Sequence, residues 1–158
     1  MMDAKQLREL VSRVLRYLDP EIPYSEEAVE LLMMTAAHES RLGTFLRQVR
    51  GPARGIYQME PATEQHLLKL IKIKSPSLYK KLMDLNLPLD GQDGAETDSD
   101  SYHNLAYQTA MARVFYWMKP GAIPKDPRKM AEYAKQFWNT RLGKATVEDY
   151  LNAYRSLC

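Results

Sequence analysis

The stretch Ala28-Val29-Glu30-Leu31-Leu32-Met33-Met34-Thr35-Ala36-Ala37 constrains this chain more than any other. A helix turns about every 3.6 residues, so a run this apolar has no polar face to give to water. It is stable only when other elements cover it on most sides. Ser25 is a suitable N-cap, and Glu26 and Glu27 suit the positive end of the helix dipole. The pattern predicts a helix from Ser25 to about Glu39, at the centre of a domain rather than on its surface.

The rest of the chain supplies the cover. Asp3 caps a helix whose apolar positions Leu7, Leu10, Val11, Val14, Leu15 and Leu18 recur at spacings of three and four, stopped by Asp19 and Pro20. Pro61 suits the first position of a helix carrying Leu67, Leu68, Leu70, Ile71 and Ile73, and Ser75 with Pro76 opens a shorter one through Leu78 and Leu82. Ser101 is the predicted cap of SYHNLAYQTAMARVFYWM, which Lys119, Pro120 and Gly121 end. Asp126 and Pro127 open a helix that ends before Gly143, and Thr146 with Asp149 forms a capping box for the last helix. Between Arg41 and Pro61 the helical period fails at Gly43, Gly51, Pro52 and Gly55, and GIYQM reads as a piece of a hairpin. The expectation is a mainly α fold of six or seven helices around a buried central one, with a small β-hairpin or irregular element near residues 41–60.

With 158 residues, 45% of them hydrophobic and 27% charged, the chain suits a single domain, residues 1–158, with an ordinary core. No apolar run approaches the roughly 20 residues of a membrane span. The start, MMDAKQLREL, lacks the apolar stretch of a secretory signal, so synthesis in the cytosol is expected. Cys158 is the only cysteine, which excludes a disulfide framework or a thiolate zinc site within one chain. His38, His66 and His103 show no metal-ligand spacing, and the acidic loop at about 88–101 lacks the calcium-loop pattern, so no metal or cofactor is expected. That loop holds Asp90, Asp93, Glu96, Asp98 and Asp100 without a Lys or Arg, which leaves the remainder basic. A basic body suits anionic partners: nucleic acid, lipid headgroups or bacterial cell-wall polymers.

Glu39 is the residue best placed for chemistry. No ionisable group lies between Glu30 and His38, so its carboxyl emerges from a core helix. Desolvation and the negative end of the helix dipole both raise its pKa, and a carboxylic acid protonated near neutral pH is what general-acid cleavage of a glycosidic bond requires. The alternative is a solvated helix-end glutamate paired with Arg41 or Arg47.

Glu39-Ser40 at the end of an apolar helix, then Gly55-Ile56-Tyr57-Gln58, then Pro61-Ala62-Thr63, resembles the soluble lytic transglycosylase family of lysozyme-like proteins. NLAYQTAMARVFYW is similar to that family's next core helix, and Phe137-Trp138-Asn139-Thr140 with Gly143 to its Tyr-Asn-x-Gly segment. The likeness covers roughly residues 28 to 145 and is greatest to small tailed-phage lysozyme-like proteins. It implies an α+β lysozyme-like domain in which Glu39 alone is the acid/base. Its proton goes to the oxygen between N-acetylmuramic acid and N-acetylglucosamine, and the sugar's 6-hydroxyl closes a 1,6-anhydro ring. Ser40 would orient substrate or Glu39, Gly55 would let backbone approach the sugar, Tyr57 would stack on it, and Gln58 and Asn139 would line the cleft. The family's tyrosine contact to the glutamate falls at Trp138, whose indole only donates, which makes Tyr133 the candidate replacement.

A second carboxylate would turn the reaction towards hydrolysis, and Glu60 is the nearest in sequence, although just before Pro61 it is more simply a helix N-terminal residue. The partners implied are peptidoglycan strands and other phage virion proteins, reached from the cytosol by virion delivery or by holin release to the periplasmic wall. Two rival readings are a non-catalytic virion protein that keeps the fold for assembly or wall docking, and a nucleic-acid binder using Arg41, Arg47, Arg50 and Arg54. Those arginines flank the expected cleft and equally suit the carboxylates of the wall.

Overall fold

Each helix begins where its capping chemistry places it. In the computed structural model, which describes residues 1–86, 103–139 and 143–158, the Asp3 carboxylate accepts from the Gln6 amide at 3.0 Å and starts α1 (Ala4–Leu18). The Ser25 hydroxyl accepts from the Ala28 amide at 3.1 Å and starts α2 (Glu26–Ser40). Pro61 and Pro76 occupy the first positions of α3 (Pro61–Lys74) and α4 (Pro76–Leu85). Asn104, not Ser101, caps α5 (Leu105–Trp117): its side chain accepts from the Tyr107 amide at 2.9 Å, so the helix starts later than expected. Asp126 and Pro127 open α6 (Pro127–Ala134), which widens into a π-helical turn, Lys135–Asn139. The reciprocal box of Thr146 and Asp149 opens α7 (Val147–Leu157). Ser101, Tyr102, the acidic loop and Thr140 lie outside the described residues.

The apolar run becomes the hub. From Leu31 to Ala37 every residue of α2 is buried, and α1, α5, α6 and α7 all pack against the helix. Leu31, Leu32, Met33 and Met34 have no exposed surface; at about 2 kcal/mol each, their burial outweighs the cost of one ionisable group at the end of the same helix. A second helix is buried nearly all round. In α5 the residues from Tyr107 to Val114 are covered, and with α1 it contributes to both halves of the core. The remaining half is filled by Leu67 and Ile71 of α3 and Leu78 and Leu82 of α4, while Leu70 and Ile73 face outward.

The predicted hairpin reduces to two isolated antiparallel bridges, Arg47 to Arg54 and Arg54 to Met59. The backbone between residues 41 and 60 otherwise runs as turns and bends, and it opens on a reversal at the end of α2. Arg41 (φ 50°), Leu42 (φ 52°) and Gly43 (φ 83°) are left-handed in succession. For the two non-glycine residues this costs about 1 to 2 kcal/mol each. Burial of Leu42, its amide's bond to Ala36 O at 3.1 Å and the Gly43 amide's bond to Ser40 Oγ at 2.9 Å offset it. Among the described residues, no helix is long and apolar enough to cross a membrane.

Candidate active site

The last turn of α2 delivers Glu39 to the wall of a cavity of about 480 Å³. The turns after α2 contribute Gln48, Ala53, Gln58 and Met59, and the start of α3 contributes Glu60 and Thr63. Phe115 and Lys119 come from the end of α5, and Phe137, Trp138 and Asn139 from the π-helical turn. The lining combines polar side chains with the rings of Phe115, Phe137 and Trp138, a mixture suited to a ligand with apolar ring faces and polar edges.

Burial dominates the chemistry of Glu39. Loss of solvation raises its carboxyl from the ordinary 4.5 to about 7, against the opposing pull of one hydrogen bond from Tyr150. The Tyr150 hydroxyl donates to Glu39 Oε1 at 3.0 Å across 111 residues of sequence, from near the start of α7. Burial and the neighbouring Glu39 push the Tyr150 phenol far above its ordinary range, so it remains a donor. His38 stacks on Tyr150, ring centroids 4.0 Å apart, and burial lowers its pKa. A neutral imidazole there fixes the phenol without adding charge beside the acid.

No family model, curated protein or solved structure matches the chain.

Of the residues singled out in the sequence, Glu39, Gln58, Trp138 and Asn139 meet on this cavity. Gln58, itself left-handed (φ 54°), donates its amide to Gly55 O at 2.8 Å. Trp138 packs edge-on to Phe115 at 4.7 Å and against Tyr116 at 5.3 Å. Asn139 Oδ1 accepts from Lys135 Nζ at 2.7 Å, and the same ammonium donates to Gly143 O at 2.8 Å. Glu60 is exposed on the cavity wall, and its side chain makes no cap hydrogen bond to α3.

Four expectations are corrected. Tyr57 is not a sugar platform: it is wholly buried, and its hydroxyl pairs with Thr109 Oγ1 at 2.9 Å inside the core. Ser40 is buried and spends its hydroxyl on Ala36 O and the Gly43 amide, so it builds the reversal rather than touching a ligand. Gly55 is not on the cavity lining: its backbone is left-handed (φ 79°), which strains any other residue, and a Cβ there would also lie 2.7 Å from Gln108 Oε1 on α5. Tyr133 lines a different cavity, and the tyrosine that reaches Glu39 is Tyr150. Arg41, Arg47, Arg50 and Arg54 do not line the cavity. Among the described residues no cluster of three or more His, Cys, Asp or Glu is placed to hold a metal ion.

Sequence reasoning missed Tyr150, Phe115 and Lys119. Only Tyr150 left a signal: a tyrosine on the buried face of an amphipathic helix needs a partner for its hydroxyl.

Proposed function

We propose that this chain cleaves the glycan strand of peptidoglycan between N-acetylmuramic acid and N-acetylglucosamine, as a lysozyme-like lytic transglycosylase with Glu39 as its single acid/base. The observation that carries this reading is a carboxyl at about 7, desolvated, held by Tyr150 and lining a cavity that three aromatic rings also line. The likeness of the Glu39-Ser40, Gly55-to-Gln58 and Trp138-Asn139 segments to that family supports it.

In the reaction, protonated Glu39 gives its proton to the glycosidic oxygen as the bond from that oxygen to the anomeric carbon breaks. The resulting Glu39 carboxylate then accepts the proton of the same sugar's 6-hydroxyl as its oxygen bonds to the anomeric carbon. The acid is regenerated and an anhydro ring is the product. The Tyr150 hydroxyl stabilises the transient carboxylate, which desolvation alone would make too basic. Phe137, Trp138 and Phe115 offer apolar surface to pyranose faces, and the Gln58 and Asn139 side chains offer polar groups to their edges. Glu60 on the same wall makes a hydrolytic product the alternative, with that carboxylate activating water. A phage-associated protein of this kind would reach the wall within a virion or through a holin pore.

The test is mass spectrometry of soluble products after purified peptidoglycan meets the wild type or Glu39→Gln. Anhydro-muropeptides from the wild type alone are expected. Reducing-end products would reassign the reaction to hydrolysis. No product from a folded wild type would refute the enzyme reading and favour a virion docking protein.

A further inference from the structure

A second cavity, of about 470 Å³, lies between the turn before α2, α5 and the connection from α5 to α6. It shares only Lys119 with the first. Arg113 of α5 lines it while being only 8% exposed, and its Nε has no hydrogen-bond partner. Among the described residues no carboxylate forms an ion pair with it.

A buried guanidinium of this kind costs stability. Charges taken out of water are ordinarily paired, and an apolar side chain of similar length would serve the fold better. Burial lowers the Arg113 pKa, with a smaller opposing effect from Tyr133. The one carboxylate lining the cavity, Glu27, is engaged by Lys125 at 3.6 Å. Lys119 holds its ammonium over the Phe115 ring at 4.6 Å, which leaves Arg113 as the cavity's buried cation without a charge partner among the described residues. The Arg fork matches a carboxylate in plane and in spacing, and Glu27 at the rim disfavours a dianion. Trp117 and Tyr133 add ring surface beside it, and the volume falls within the range of small-molecule sites.

We propose that this cavity binds a carboxylate carried on a sugar ring, with Arg113 as the anchor. The sugar body rests on the glycan-cleavage reading, whereas the carboxylate requirement rests on Arg113 alone.

The test titrates the full chain with N-acetylmuramate, with N-acetylglucosamine and with inorganic phosphate, following backbone amides by NMR. N-acetylmuramate should move the Arg113, Gly121 and Ile123 amides and saturate. N-acetylglucosamine, which lacks the lactyl carboxylate, should bind there at least about tenfold more weakly, as should N-acetylmuramate to Arg113→Met, given the strength of hydrogen bonds to charged groups. Arg113→Met should keep the wild-type melting temperature or exceed it. Should it fail to fold, Arg113→Gln takes its place with the same expected loss. Equal binding of the two sugars, unchanged binding in the variant, a preference for phosphate, or failure of both variants to fold would each overturn the proposal. Glu39→Gln should bind N-acetylmuramate at these amides like the wild type. Carboxylate-dependent binding by a wild type that releases no product would thus refute cleavage and leave this site standing.

Discussion

Glu39→Gln should make the protein more stable in neutral solution and leave it unchanged in acid. Glutamine keeps the shape of the protonated side chain and an acceptor for the Tyr150 hydroxyl, and removes only the ionisable group. In the folded chain the Glu39 carboxyl is raised from 4.5 to about 7. Between those values the folded state binds more protons than the unfolded one, so stability falls as pH rises through that window. Below it both states are protonated and the full stability is present. Each pH unit corresponds to about 1.4 kcal/mol, so the wild type loses about 3 kcal/mol across the window and nothing further from this group above it. The advantage of the variant should be near zero at about pH 4 and should reach about 3 kcal/mol by about pH 8. Urea unfolding of both proteins, followed by circular dichroism at several pH values, measures that difference, and contributions from all other groups cancel in it. A difference that stays flat across this range would refute the claim that the fold holds Glu39 as a neutral acid.

Tyr150→Phe should push the Glu39 pKa up by about one further unit, the equivalent of one hydrogen bond to a charged acceptor. The alkaline limb of the pH profile of wall cleavage should move up with it, and an unmoved limb would remove Tyr150 from the site. Tyr57→Phe leaves Thr109 Oγ1 without its buried partner and should cost about 1 kcal/mol in thermal or urea unfolding, with glycan binding unchanged. Weakened glycan binding at full stability would instead make Tyr57 a contact residue.

Local chemistry was legible in the sequence and distant partnership was not. Ser25, Pro61, Pro76, Asp126 and the Thr146–Asp149 box fix helix starts because each acts within three or four residues of itself. The central position of α2 followed from the absence of any polar face. Glu39, Gln58, Trp138 and Asn139 could be picked out from short patterns, but what each side chain meets is decided by other helices. Gly55 shows this well: its left-handed backbone could be expected from the turn, while the Gln108 side chain of α5 that packs beside it could not. Tyr57 and Tyr150 differ only in which hydroxyl partner the folded chain brings, Thr109 or Glu39. Arg113, a lone cation between Ala112 and Val114, carried a signal that periodicity alone does not weigh.

The bond between Tyr150 and Glu39 ties the acid to the helix that leaves the ribosome after every other described one. Until α7 docks on α2, Glu39 has no Tyr150 hydroxyl to stabilise its carboxylate. The acid and its donor therefore meet only when α7 docks on α2, so their pairing reports the folded state of the chain and not of any one segment.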